Sequence, residues 1–206
     1  YVSISQAERT FCPELNYIAN VYNGIRLDAF DFVGWEGRHL LFIGRICPEK
    51  GADLAVAFAR RTGLPLVIAG IVPEHARDFF ETRIRPHIDG RQISFAGEVG
   101  PAERNRLMGE ALALLHLIRA PEPFGLVMAE AMACGTPVIG FGRGSVPEVV
   151  EHGVTGFVAN DLDEAVALAA RLPEIDRRKC RERVERLFTL ERMVEGYEEA
   201  FARLAG

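Results

Sequence analysis

No apolar run in this sequence approaches the roughly 20 residues that a membrane-crossing helix needs, so none of it reads as a membrane span. Basic residues are not in excess either. Lys and Arg total 24 against 29 Asp and Glu, and the formal net charge of −5 gives no electrostatic reason to expect nucleic acid as the main partner. Cysteine is sparse. Cys12, Cys47, Cys134 and Cys180 lie far apart and form no CxxC or Cys/His pair, which predicts reduced thiols in a cytoplasmic protein without structural zinc. There are no internal repeats and no low-complexity stretch. The opening Tyr1-Val-Ser-Ile-Ser lacks the basic start and apolar block of a signal peptide. A start at Tyr rather than Met suggests a fragment.

What remains is an ordinary globular composition, 49% apolar and 26% charged over 206 residues. That length suits one large domain, or one domain plus part of another. From His39 onward, short apolar runs alternate with helical patterns. Strands are predicted at 39–44, 65–70, 92–97, 112–118, 137–141 and 155–159. Helices are predicted at 52–63, 74–88 (ended or kinked near Pro86), 101–111, 125–135 and 146–153, with a helical tail from 161 to the end. Such alternation implies an α/β fold, a doubly wound, Rossmann-like parallel sheet covered on both faces. Residues 1–36 stay outside this rhythm, with an edge strand expected near 18–22 and a turn at Asn23-Gly24.

Ligands of open parallel sheets sit beyond the carboxyl ends of the strands. After the first strand come Gly44, Arg45 and Lys50-Gly51, and after the second Gly70-Ile71. Glu98-Val99 follows the third, Glu122-Pro-Phe-Gly125 the fourth, and Gly142-Arg-Gly-Ser145 the fifth. All of these fall on one edge of the sheet, and their chemistry suits an anion. Arg45 can grip a phosphate with two donors, and Lys50 adds a point charge at a helix start. Phe124, Gly125 and Leu126 open a helix whose free N–H groups and dipole favour negative charge. Glu130, in the apolar stretch Met-Ala-Glu-Ala-Met-Ala, lies about 7.5 Å further along that helix. A buried carboxylate is costly without a partner. The vicinal hydroxyls of a ribose would supply one if the phosphates sit at the helix start. Glu122 would then face whatever the diphosphate carries.

The motifs at 44–51 (Gly-Arg, four residues, Lys-Gly) and at 122–130 (Glu-Pro-Phe-Gly-Leu-Val-Met-Ala-Glu) resemble the nucleotide-sugar half of retaining glycosyltransferases of GT-B architecture, the glycosyltransferase 4 group. MACGTPVI (132–139), GSVPEVV (144–150) and GVTGFVA (153–159) extend the likeness. It implies that 37–206 is a donor-binding domain with a helical tail. Residues 1–36 would then be the end of an absent N-terminal domain together with the linker.

The resemblance also implies retaining, metal-independent transfer of a hexosyl group from a UDP-, GDP- or ADP-sugar to a carbohydrate or lipid-linked acceptor, as in polysaccharide biosynthesis. No cofactor and no metal are implied. The acceptor would reach the missing domain, leaving this fragment inactive alone. Arg45, Lys50 and Glu122 would be catalytic. Glu130, Phe124, Gly125, Leu126, Val99 and Gly44 would bind the donor, with the end of the third strand bordering the base. Cytoplasmic location is implied, and the full-length enzyme could also sit peripherally at the inner face of the membrane. A GT-B-type phosphorylase, a sugar-nucleotide epimerase and a non-catalytic nucleotide-binding module are the alternatives. Arg143 departs from the family pattern.

Other conspicuous residues have plainer readings. Arg143 is read as a surface residue, Glu148 as a first-turn or capping acid, and His116 as core. Asp161-Leu-Asp163 is read as a helix cap rather than a metal motif. The arginine-rich run 177–186 is read as a solvated helix face.

Overall fold

The computed structural model describes residues 1–35 and 37–205. The boundary expected at 36/37 and the final Gly206 therefore touch positions outside the described residues. Two short strands open the chain, β1 (Val2–Ser3) and β2 (Ala19–Asn20), and they pair in parallel with each other. The main sheet follows: β3 (His39–Ile43), β4 (Leu66–Ala69), β5 (Ile93–Gly97), β6 (Ala111–His116), β7 (Val138–Phe141) and β8 (Gly156–Ala159). Each lies within two residues of its sequence-predicted bounds. All five neighbouring pairs are parallel, in the order β5-β4-β3-β6-β7-β8.

Leu40, Leu41 and Phe42 are buried in succession, as are Ala113, Leu114 and Leu115. Consecutive buried side chains point to opposite faces of a strand, so both faces of the sheet are covered. The cover comes from α1 (Ala52–Thr62), α3 (Pro101–Gly109), α4 (Leu126–Ala133), α5 (Val146–Val149), α6 (Leu162–Leu168) and α7 (Arg177–Leu187), with α8 (Leu190–Ala205) as a tail. Asp161 caps α6 as expected, its Oδ1 accepting the Glu164 N–H at 2.9 Å.

The helix expected over 74–88 is broken. A 3-10 turn at Glu74–Ala76 leads into α2 (Arg77–Phe79), a π-type stretch at Phe80–Ile84 and a second 3-10 turn at Arg85–His87. Pro86 lacks the N–H that would carry a regular helix through. The segment still buries Phe80 and Ile84.

The arginine-rich α7 departs from its sequence reading as well. Arg177 donates to the carbonyls of Val33, Gly109 and Ala111 and to Thr136 Oγ1. Arg181 reaches the carbonyls of Phe30 and Ala133, and Arg183 those of Glu148 and Val149. These guanidiniums satisfy carbonyls left over at helix and strand ends rather than facing solvent.

Candidate functional site

The strand order reverses between β3 and β6. From β3 the chain winds outward through β4 to β5, then returns to β6 and winds the other way. The carboxyl ends of β3 and β6 thus bound a crevice, the usual ligand position in such sheets. Two loops line it: 44–51 after β3, and 117–125 after β6.

Gly51 lets the first loop turn into α1. It has φ +75°, and a Cβ there would run into the Leu117 carbonyl. The two loops are then tied together. Arg119 donates its backbone N–H to Glu49 O at 2.8 Å, and its guanidinium grips both carboxylate oxygens of Asp53 at 2.7 and 2.8 Å. This brings Lys50 Nζ to 2.5 Å from Glu122 Oε2, across 72 residues of sequence.

A third loop, 142–145 after β7, fixes the backbone of Glu122. Ser145 donates its N–H to Glu122 O at 2.9 Å and its hydroxyl to Phe124 O at 2.7 Å. Gly144, at φ +57°, leaves no room for a Cβ against the Glu122 backbone. Arg143 is therefore a connector. It donates to Arg119 O at 2.6 Å and stacks over Phe141.

Two clefts result. The first, about 200 Å³, is lined among others by Gly44, Lys50, His116, Glu122, Gly125 and Leu126. The second, about 260 Å³, is lined by Arg45, Gly70, Glu98, Val99 and Arg104 among others. Ile43, Gly44 and Val127 belong to both. Each alone is smaller than the typical 300–1,000 Å³ ligand pocket, whereas two adjoining clefts suit one extended ligand. The first turn of α4 lies where they meet, and its opening N–H groups have no intrahelical partner.

Of the residues singled out in the sequence, Gly44, Arg45, Lys50, Val99, Glu122, Gly125 and Leu126 line this crevice. Phe124 does not. Its ring is buried against Tyr22 and Phe188, so only its backbone can serve a ligand. Glu130 lines neither cleft. Its carboxylate, buried on α4, is ion-paired with Arg104 of α3, while Oε2 makes no hydrogen bond of normal geometry. Arg104 in turn borders the second cleft.

Sequence reasoning missed two residues, Arg104 and His116. Arg104 sits on a helix with no motif. His116 is buried as expected, but its imidazole forms part of the first cleft. Burial pushes the His116 pKa down to about 4, Glu122 opposing and Lys50 reinforcing the shift. The ring is neutral at pH 7. Among the described residues, no group of three or more His, Cys, Asp or Glu is placed to hold a metal ion.

A parallel sheet in this order, with its crevice at the β3/β6 switch point, defines the class: a doubly wound α/β domain. Residues 34–186 match the family model described as glycosyl transferases group 1. The chain belongs to that family.

It is 35% identical over 175 residues to the glycogen synthase of Mycobacterium tuberculosis, covering 78% of this chain and 40% of that protein. It is 33% identical over 165 residues to the GDP-mannose-dependent α-(1-6)-phosphatidylinositol dimannoside mannosyltransferase of the same species, covering 74% and 41%. Among solved structures, AviGT4, a glycosyltransferase involved in avilamycin A biosynthesis, superposes with TM-score 0.81 at 30% identity. That alignment covers all of this chain and 64% of AviGT4. The Anabaena protein HepE in complex with UDP and glucose shares the fold, with TM-score 0.85 at 19% identity over 98% of this chain and 62% of HepE. The chain thus spans about 40% of the length of the curated relatives it matches.

Proposed function

We propose that this chain is the donor-binding half of a retaining, metal-independent glycosyltransferase that moves a hexosyl group from a nucleoside-diphosphate sugar to a carbohydrate or lipid-linked acceptor. The observation that carries the reading is the pair of adjoining clefts on either side of the α4 N-terminus, with Lys50 in one and Arg45 in the other. The diphosphate would lie where the clefts meet, the nucleoside in the second and the sugar in the first, facing Glu122. A relative named for GDP-mannose and a structural neighbour holding UDP and glucose support this class of donor.

The chemistry follows from charge. As the bond from the sugar to the diphosphate breaks, negative charge builds on the departing phosphate. Arg45, Lys50 and the N–H groups opening α4 would be the donors at that position, and their stabilisation would grow as the charge does. Gly44 and Gly125 let the ligand approach backbone closely, and Val99 would border the base. Glu130 would accept from the ribose hydroxyls, with Arg104 paired to its buried carboxylate.

Residues 1–36 would be the end of a preceding domain and the linker. Leu190, Val194, Phe201 and Leu204 are exposed at helical spacing along α8. Such an unpartnered apolar stripe supports a further part of the protein lying against it. Acceptor groups would come from that part, so the fragment alone would bind donor without transferring it. The intact enzyme would work in the cytoplasm or at the inner membrane face.

The test is calorimetry with UDP-, GDP- and ADP-sugars. One of them is expected to bind. Lys50→Ala should weaken it about 10- to 100-fold, the scale of a charge-assisted hydrogen bond, and Glu130→Ala should weaken it about tenfold. Unchanged binding in both variants would overturn the assignment.

A further inference from the structure

His116 lies on β6 among Ala113, Leu114, Leu115 and Leu117, all buried, and is itself only 6% exposed. A strand position in such company normally carries an aliphatic side chain. The imidazole Nε2 is buried and has no hydrogen-bond partner. Orphaned buried polar atoms are rare and cost about 1–3 kcal/mol, so this one needs an explanation.

Glu122 does not provide it. Its Oε2 stands 3.8 Å from Nε2, beyond hydrogen-bond range, and is already held by Lys50 at 2.5 Å. Gly125 also stands beside the ring. A Cβ there would sit 3.4 Å from His116 Nε2 and 2.6 Å from Met128 Cε. The ring packs close to Gly125, where no side chain would fit, and His116 lines the same cleft as Lys50, Glu122 and Leu126.

We propose that His116 is a donor-sugar contact, its Nε2 hydrogen-bonding a hydroxyl of the hexosyl group beside the one that Glu122 accepts from. The inference rests on the donor-binding reading above. A hydroxyl fits better than a phosphate oxygen for two reasons. Cations for the diphosphate are already supplied by Arg45 and Lys50. A neutral imidazole nitrogen is a donor or an acceptor according to its tautomer, and a hydroxyl can answer either. His116 and Glu122 together would then read two neighbouring hydroxyls, which makes the pair a determinant of sugar specificity and not of nucleotide affinity.

The experiment compares UDP with UDP-glucose, GDP with GDP-mannose and ADP with ADP-glucose, by calorimetry on the chain as it stands. His116→Phe keeps a ring without polar atoms, and His116→Gln restores a donor and an acceptor. For the pair that binds, His116→Phe is expected to weaken the sugar nucleotide about 3- to 10-fold while leaving the diphosphate alone within about twofold. His116→Gln should recover part of the loss. Nitrogen-15 spectra of the wild-type histidines need no variant: the Nε2 signal of His116 should move with the sugar nucleotide and stay put with the diphosphate.

Equal losses for both ligands, or no loss for either together with an unmoved Nε2 signal, would show a purely structural histidine and overturn the proposal. If the wild type binds none of the six ligands, the donor-binding reading itself falls and takes this inference with it. If Lys50→Ala weakens binding as expected but sugar and diphosphate stay inseparable at His116, only this inference falls.

Discussion

Glu130 is 8% exposed on a helix where Met128, Ala129, Ala131 and Met132 are fully buried, and what meets its carboxylate is Arg104. The apolar run Met-Ala-Glu-Ala-Met-Ala shows that the acid needs a partner. It cannot show a cation arriving from α3, because that depends on how two helices pack. His116 has the opposite history. Its strand makes burial legible, but its place in the wall of the cleft, beside Gly125, exists only after α4 is docked. Its neutrality carries a consequence for stability. In the unfolded chain the imidazole takes its proton near 6.5, whereas in the folded protein burial delays this to about 4. Between those values the unfolded state binds more protons, so stability falls as pH drops from about 6.5 to about 4, by up to about 3 kcal/mol from this residue. A set of denaturant titrations across that range should show the fall, and a smaller one in His116→Phe. Equal slopes for the two proteins would mean the folded histidine titrates normally.

At the scale of elements, the alternation of strands and helices was readable because hydrophobic periodicity is a local property of the chain. The arginines of α7 were not. Arg177 and Arg181 are four residues apart, on the side that also carries Cys180 and Val184, both buried. Arginine stems can lie along apolar surface while the head reaches polar groups, so this face is built to pack. A signal existed in that spacing, but charge count concealed it.

Glu148 is another element-level case. It sits in the first turn of α5, yet its oxygens accept the N–H groups of Gln6 and Ala7 at 2.8 and 2.7 Å and the Tyr22 hydroxyl at 3.1 Å. The acid anchors the N-terminal segment to the main domain. Glu148→Ala should therefore speed amide exchange at 1–20 sharply, consistent with a loss of about 2–3 kcal/mol of local stability, while β3–β8 keep their protection. Uniform loss across the sheet would contradict this anchoring role.

For the molecule as a whole, the thiols report how completely the sheet is wrapped. Cys47, Cys134 and Cys180 are buried, and only Cys12 is partly exposed. Burial pushes the Cys134 and Cys180 thiols up to about 12, which suppresses the reactive thiolate. One fast-labelling thiol out of four is expected in the native protein, and four after denaturation. Two or more fast thiols would mean the helical cover opens readily.

The N-terminal stretch and the tail also close on each other. Ile25 exchanges backbone bonds with Phe188 and Leu190 at 2.9 and 3.0 Å, and Tyr22, Phe124 and Phe188 stack in one cluster. The sequence by itself determined the α/β class, the six strands, and which glycines and charges follow each of them, since all of these depend on neighbours along the chain. Only the tertiary structure decided which of those residues meet. The order β5-β4-β3-β6-β7-β8 sets the ends of β3 and β6 side by side, so Lys50 finds Glu122, Arg104 finds Glu130, and His116 meets Gly125. Those pairings are long-range, fixed by strand order and helix docking, and no local pattern encodes them.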